Sequence, residues 1–289
     1  MFIFFDGSED SQGKGKNGMK GWELGMKRKI MSGMVILIIL AAHFCRYMLP
    51  YDPFKTNMAE AALPPSSSHW IGTDNLGRDV FSRVLQGSQT SLYAALCVVA
   101  VVFLTGTLLG VAAGYLGGWP DAVIGKVIVI FQAFPGFILA VAVAGMLGAG
   151  MTNGMISLCA VYWTTYAKLA RSLVLQMKDI TYIQAAKLCG ANRRSIIIRY
   201  ILPNVISPLV VTAALDVGSV ILSMAGLSFL GLGAQRPTAE WGVMMSEARN
   251  YIQTAPWIIF FPGLALFLVV TVFNLFGDSV RDGLEKKNG

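Results

Sequence analysis

Apolar residues dominate this chain in long blocks separated by short polar segments. The first block, SGMVILIILAAHFCRYMLP, begins directly after Lys27-Arg28-Lys29 and stops at Pro50. Further blocks cover about 91–115, 122–147, 155–174, 205–230 and 257–276. Each is near the roughly 20 residues a helix needs to cross a bilayer. The pattern predicts an all-α, polytopic integral membrane protein with six transmembrane helices. Pro135 falls inside the third block and is expected to kink it. An even number of crossings returns both ends to one side.

The polar segments divide the chain. Residues 1–30 read as a flexible cytoplasmic tail, and their opening apolar run is too short for a secretory signal core. Residues 31–89 hold the first span and an outer loop with Pro53, Pro64, Pro65 and a serine triplet, ending in a short amphipathic RDVFSRVLQG. Residues 90–280 form a five-helix core interrupted by a cytoplasmic loop, 176–204, and 281–289 form a cytoplasmic C-terminal tail.

Composition narrows the class. Of the 289 residues, 55% are hydrophobic and 13% charged, about half the charged fraction of a soluble domain. The net charge of +7 gathers in the N-terminal segment, in the stretch after the fourth block and at Lys286-Lys287. That is the distribution that marks cytoplasmic loops. With no module combining basic and stacking aromatic residues, it excludes nucleic-acid binding. The outer loops mix Asp52, Glu60, Asp74, Asp79, Glu240 and Glu247 with Arg78, Arg83, Arg236 and Arg249.

Four cysteines lack metal or disulfide spacing, and two histidines give no metal site. No GxxxxGK[ST] loop exists to cradle nucleotide phosphates. No cluster of His, Asp or Glu within the blocks points to an embedded enzyme. An ion-coupled secondary transporter would show internal repeats and several buried charges. Asp216 is the one clear carboxylate inside a block, as a residue of a translocation pathway or a hydrogen-bond partner of a neighbouring helix. Gly106, Gly110 and Gly114 form a small-residue ridge for close helix packing.

The loop TYIQAAKLCGANRRSIIIRYILPN interrupts the apolar pattern. On a helix Ala185 and Cys189 share a face, as do Ala186 and Gly190. A smooth face of that kind fits a groove on another protein or belongs to an ordinary surface helix. The segment resembles the EAA loop of bacterial ABC importer permeases, with Gln184 in place of the usual glutamate. WIGTDNLGRDVFSRVLQGSQTSL, AGLSFLGLGAQRPTAEWGVMMSEARNYI and FPGLALFLVVTVFNLFGDSVRDGL are similar to the C-type permeases for dipeptides, oligopeptides and nickel.

The resemblance implies a type I ABC importer permease fold in the bacterial inner membrane. Its partners would be a homologous B-type permease, two ATP-binding subunits carrying ATP and Mg, and an extracytoplasmic solute-binding protein. Gln184, Ala185, Ala186, Gly190, Arg193 and Arg194 would couple to the ATPase, and Gly72, Thr73, Asp74, Gly77, Arg78 and Asp79 form the outer family motif. This chain would bind no cofactor and catalyse no reaction. AGLSFLGLG and PTAEWG lean toward nickel, carried as a chelate, with short peptides as the alternative. PTAEWGVMMSEARNYI is expected to be a docking surface or an interfacial helix, anchored by Trp241, Met244, Met245 and Tyr251. Asp278 and Asp282 stand four residues apart and are expected to meet nearby bases, such as those of the 176–204 loop.

Overall fold

The computed structural model describes residues 9–288, and the surroundings of side chains from 25 to 283. Among the described residues the architecture is helical, with one isolated antiparallel bridge between Thr73 and Asp79. The long helices are α1 (Glu9–Met48), α2 (Val80–Leu116), α5 (Met151–Met177), α8 (Leu202–Phe229) and α10 (Trp257–Asn288). Between them lie α3 (Gly118–Gln132), α4 (Gly136–Leu147), α6 (Thr181–Leu188), α7 (Arg193–Ile196) and α9 (Trp241–Ala248).

Several boundaries differ from the sequence expectation. α1 begins at Glu9, so the supposed flexible tail 1–30 is helical from there; residues 1–8 lie outside the described residues. No proline interrupts 9–48, and Pro50 then ends the helix. The C-terminal tail is likewise the continuation of α10. α2 starts at Val80, not near 91, because Asp79 caps it: its carboxylate accepts from the Ser82 N–H at 2.8 Å and from the Ser82 hydroxyl at 2.7 Å. The amphipathic RDVFSRVLQG is therefore mostly the first turns of a core helix.

The third apolar block is not one kinked helix. α3 and α4 meet at 92° across 133–135. Pro135 has no N–H to donate and disfavours helical backbone at Phe134, so the chain breaks outright there. A milder defect precedes α8. Residues Ile197–Ile201 form a π turn, and Pro203 just beyond it cannot serve the carbonyl four residues back. The helical path nevertheless runs unbroken from Arg193 to Phe229.

Among the described residues four helical segments are long and apolar enough to cross a membrane, or five if the bent pair counts as one. α5 has the length, 27 residues, but is too polar to qualify. Two of its buried hydroxyls are absorbed locally, Ser157 donating to the Gly154 carbonyl at 2.7 Å and Thr164 to that of Val161 at 2.9 Å.

Side-chain contacts give the helix directions. The expected glycine ridge of α2 lies on α5. A Cβ on Gly106 would come within 2.6 Å of the Tyr166 Cβ, one on Gly110 within 2.8 Å of the Ala170 Cβ, and one on Gly114 within 2.9 Å of the Val174 Cβ. Both series ascend together, so α2 and α5 run parallel. The α3–α4 pair must then carry the chain from one end of the bundle to the other. α1 runs antiparallel to α2, His43 Nδ1 meeting the Tyr93 hydroxyl at 2.7 Å and Cys45 lying against Gln89. α5 runs antiparallel to α8, joined by Tyr162 and Ser223 hydroxyls 3.0 Å apart and by Gly154 against Leu227.

α8 and α10 are antiparallel too, with a Cβ on Gly218 falling 2.7 Å from the Asn274 amide oxygen and Gly277 set against Leu215. Lys27 of α1 pairs with Asp282 of α10 at 3.9 Å. The start of the first long helix and the close of the last therefore share one end, here the basic end. Asp282 meets α1 and not the 176–204 loop, because α1 is the helix packed beside it. The 51–79 loop and α9 occupy the opposite, loop end.

Replacing Gly110 by Leu should separate α2 from α5, since the new side chain has no room against Ala167 and Ala170. Overpacking costs about 1–3 kcal/mol where a site can adjust, and backbone so close cannot. The expected outcome is a sharp loss of monodisperse protein in detergent chromatography, whereas Gly145→Leu, which faces open space, should leave the elution profile unchanged.

Candidate functional site

The basic end exposes an elbow between α5 and α8. Ile180 opens α6 and Ile183, fully buried, pins it to the core. Gln184 turns back, its Nε2 donating to the Asp179 carboxylate at 3.3 Å and to the Lys178 carbonyl at 3.5 Å. A carboxylate at 184 would instead face Asp179 with like charge. Ala185 and Cys189 are exposed, Ala186 is half-buried, and Leu188 is 90% exposed at the tip. With Tyr182 and Ile180, also exposed, they give the elbow an apolar outer surface of small and large side chains.

Gly190 does not share that helical face. α6 ends at Leu188, and Gly190 follows with φ +82° and nothing within 4 Å of the place a Cβ would take. Its lack of a side chain serves the left-handed turn that stops the helix. Asn192 then caps α7, accepting from the Ser195 N–H at 2.8 Å. Arg193 and Arg194 in its first turn are both exposed.

At the loop end the family-motif residues fold into a buried charge cluster. Gly72 and Gly77 both have positive φ, and a Cβ on Gly77 would collide with the Asn57 carbonyl. These turns bring Asp74 back beneath Arg78: the Arg78 Nε donates to Asp74 Oδ2 at 2.6 Å and its Nη2 donates to Glu247 Oε2 at 2.8 Å. Arg83 on α2 lies within 3.3 Å of Asp74 and 3.4 Å of Glu247, and donates to the Pro53 carbonyl at 3.1 Å. All four charged groups are buried, with Arg236 closing the cluster from the surface at 2.7 Å from Glu247. Thr73 donates to the Glu60 carbonyl, and Asp79 meets the His69 ring at 2.9 Å. The sequence singled out Asp74 and Arg78 but gave Arg83, Arg236 and Glu247 only a topological role. The mixed signs in both outer loops were the available signal.

α9 packs largely into the core and does not lie along the surface as its amphipathic spacing predicts. Trp241, Met244 and Glu247 are buried, and Gly242 lies hard against the Ala225 backbone of α8. The Trp241 indole donates to the Val84 carbonyl at 3.1 Å. Its cap, Glu240, accepts from the Val243 N–H at 3.0 Å and from the Ser91 hydroxyl at 3.2 Å. Burial pushes the Glu240 carboxyl above the usual carboxylate range, and these hydrogen bonds pull the other way. Of the helix's expected anchors, Met245 and Tyr251 are only half-buried.

Asp216, in the middle of α8, is half-buried and interacts with the fully buried Tyr166 of α5. Asp278 is exposed. Among the described residues no group of three His, Cys, Asp or Glu could hold a metal ion.

Two outcomes follow from the charge cluster. Glu247→Gln leaves Arg78 and Arg83 facing one acid where two stood, and should lower stability by about 3–5 kcal/mol. Arg236→Ala at the exposed rim should cost about 0–1 kcal/mol. Thermal unfolding in detergent compares them. Glu240 gives a pH dependence: its raised folded pKa means the folded state keeps the proton longer than the unfolded one. That contribution to stability is complete below about 4.5, the ordinary value, and is lost as pH rises through the folded pKa. Glu240→Gln should flatten the fall in unfolding temperature toward neutral pH.

The comparisons with known proteins agree with one another. Residues 106–288 match the family model of the binding-protein-dependent transport system inner membrane component. A probable D,D-dipeptide transport system permease protein of Escherichia coli K12 is 44% identical over 89% of this chain and 86% of its own length. A glutathione transport system permease protein of Pectobacterium atrosepticum is 42% identical over 89% and 86%. A nickel transport system permease protein of Escherichia coli K12 is 41% identical over 87% and 91%. Among solved structures, an inward-facing MetNI methionine ABC transporter chain aligns with a TM-score of 0.56 at 18% identity, covering 69% of this chain and 95% of that one.

Proposed function

Because this chain belongs to the binding-protein-dependent inner membrane components, the permeases of ABC importers, we propose that it forms half of a solute pathway across the bacterial inner membrane. The other half is a homologous B-type permease. Two ATP-binding subunits, which hold ATP and Mg, drive the pair, and an extracytoplasmic binding protein delivers the solute. The chain crosses six times: α1, α2, the α3–α4 pair, α5, α8 and α10. The parallel α2–α5 pair supports that count, since it requires the bent pair to traverse the bundle, and the Lys27–Asp282 contact requires the number of crossings to be even. The basic end is cytoplasmic, in keeping with Lys27, Arg28, Lys178, Lys187, Arg193 and Arg194 gathered there.

The observation that carries the coupling role is the elbow surface of Ala185, Leu188 and Cys189, apolar and open to solvent at the cytoplasmic end. The ATP-binding subunit grips α6 there, with Gln184, Ala186, Gly190, Arg193 and Arg194 shaping the contact. Ile183 transmits its movement to the core, and the continuous 193–229 helix carries it into the bundle. Rigid-body rocking of this sort converts small shifts into alternating access. The Tyr166–Asp216 contact joins α5 to α8, so a motion that parts these helices exposes the Asp216 carboxylate to the pathway.

The solute is a nickel chelate or a short peptide. Ala239 of the PTAEWG segment is buried, so that position reports core packing and the two solutes stand level. Uptake by the reconstituted complex, comparing nickel chelates with dipeptides, separates them.

Ala185→Trp tests the coupling. The side chain points to solvent on a regular helix, whereas any residue at Gly190 would also strain a positive φ. The substituted complex should insert normally and retain ATPase activity while uptake falls at least tenfold. Uptake at the normal rate, or uptake by this chain alone under an ion gradient, overturns the assignment.

A further inference from the structure

The basic end holds a cavity of about 330 Å³ that the elbow's outer surface leaves free. Tyr115 and Leu116, closing α2, form one wall; Lys178, Lys187 and Arg193 face them from the elbow. The Lys187 ammonium donates to the Lys178 carbonyl at 3.3 Å, which holds it at the rim. The neighbouring acids are already engaged. Asp121 takes a two-point contact from Arg171, and Asp179 accepts from Gln184. Among the described residues neither Lys187 nor Arg193 has an acidic partner, so cationic charge converges on the cavity without neutralisation. Such a site calls for an anion.

Its level in the bundle indicates which anion. α2 ends at Leu116 with Gly117 as its cap, and Trp119, two residues past the cap, is 77% exposed. A solvent-facing Trp with Tyr115 just before it marks the membrane–water boundary, the level of lipid headgroups. Leu116, 56% exposed, gives the wall an apolar edge. Beside it a second, open groove of about 530 Å³ runs between α3 and α5, with Ala122, Val129 and Ile130 among its lining. Asp121 lines that groove and feels the charge of Lys178, which sets the groove next to the cavity. The groove also carries Asp121, Lys126 and Arg171, and its apolar part is the exposed Val129 and Ile130; a cationic chamber opening beside that apolar edge fits one molecule with a phosphate head and acyl tails. Basic pockets between transmembrane helices recognise such headgroups.

We propose that the cavity bounded by Tyr115, Lys178, Lys187 and Arg193 binds the phosphodiester headgroup of an anionic phospholipid of the inner leaflet, its acyl chains lying along α3. The inference rests on the chain being membrane-embedded; it shares Arg193 with the proposed contact on the ATP-binding subunit, and the lipid is read on Lys178 and Lys187, which that contact does not use.

Native mass spectrometry of the complete complex, purified from bilayers of phosphatidylglycerol and phosphatidylethanolamine, tests it. The native chain should retain phosphatidylglycerol selectively, and Lys178→Gln with Lys187→Gln should weaken that retention roughly tenfold or more. Lys55→Gln, at the loop end, should change nothing. Equal retention by both forms overturns the proposal. So does complete displacement of the lipid by inorganic phosphate alone, which would make a free anion the ligand. Cross-linking of Lys187→Cys to an ATP-binding subunit with the lipid absent would give the cavity to that subunit. Because lipid retention is read without transport, a failure here is distinct from a failure of Ala185→Trp.

Discussion

The fold depends on how closely α2 and α5 approach. Gly106, Gly110 and Gly114 on one helix receive Tyr166, Ala170 and Val174 on the other, with backbone nearly touching backbone. In lipid no hydrophobic force draws helices together, so contact area and close packing must do so. That requirement explains why α5 can be polar. Ser157 and Thr164 bond to their own helix, Tyr162 bonds to Ser223 of α8, and Ala167 and Ala170 seat the glycine ridge. The register also makes the two helices parallel, and a parallel pair separated by one hairpin is possible only if the broken α3–α4 segment traverses the bundle. One row of glycines thus decides the path of half the chain.

The two ends of the bundle are built on opposite principles. At the loop end, Asp74, Arg78, Arg83 and Glu247 are buried together and tie the 51–79 loop, α2 and α9 into one block. Buried charges of this kind are tolerable only in nearly fixed geometry, because a lost partner leaves its mate desolvated. At the basic end α6 is fastened chiefly by Ile183 and by side-chain bonds to the 178–179 turn. If the chain works as proposed, the rigid end receives the solute and the compliant end the pull of the ATP-binding subunits.

Much of this was legible in the residues, though unevenly. The apolar blocks located the long helices, the charge distribution marked the basic end, and the glycine spacing marked a packing ridge. The EAA-like loop identified the elbow before any geometry was known. Where the sequence misled, tertiary context had overridden a local pattern. Asp79 capped α2 earlier than hydropathy placed it. Gly190, read as part of a smooth face, proved to be a helix stop. α9 has amphipathic spacing, which predicts a surface helix, yet the Ala225 backbone and the Trp241 indole bond draw it into the core.

What the sequence determined alone was composition-driven: a helical chain with apolar segments of bilayer length, a positively charged end, no phosphate-binding loop, and membership of a transporter family. Those properties follow from local preferences and from each residue's cost in lipid or water, which a linear string contains in full. Only the tertiary structure decided that α2 and α5 are parallel, that Glu247 answers Arg78 across 169 positions of chain, and that Lys178, Lys187 and Arg193 share a cavity. Each of these is a meeting between distant segments. Its energy depends on distance and burial, neither of which exists until the helices are packed.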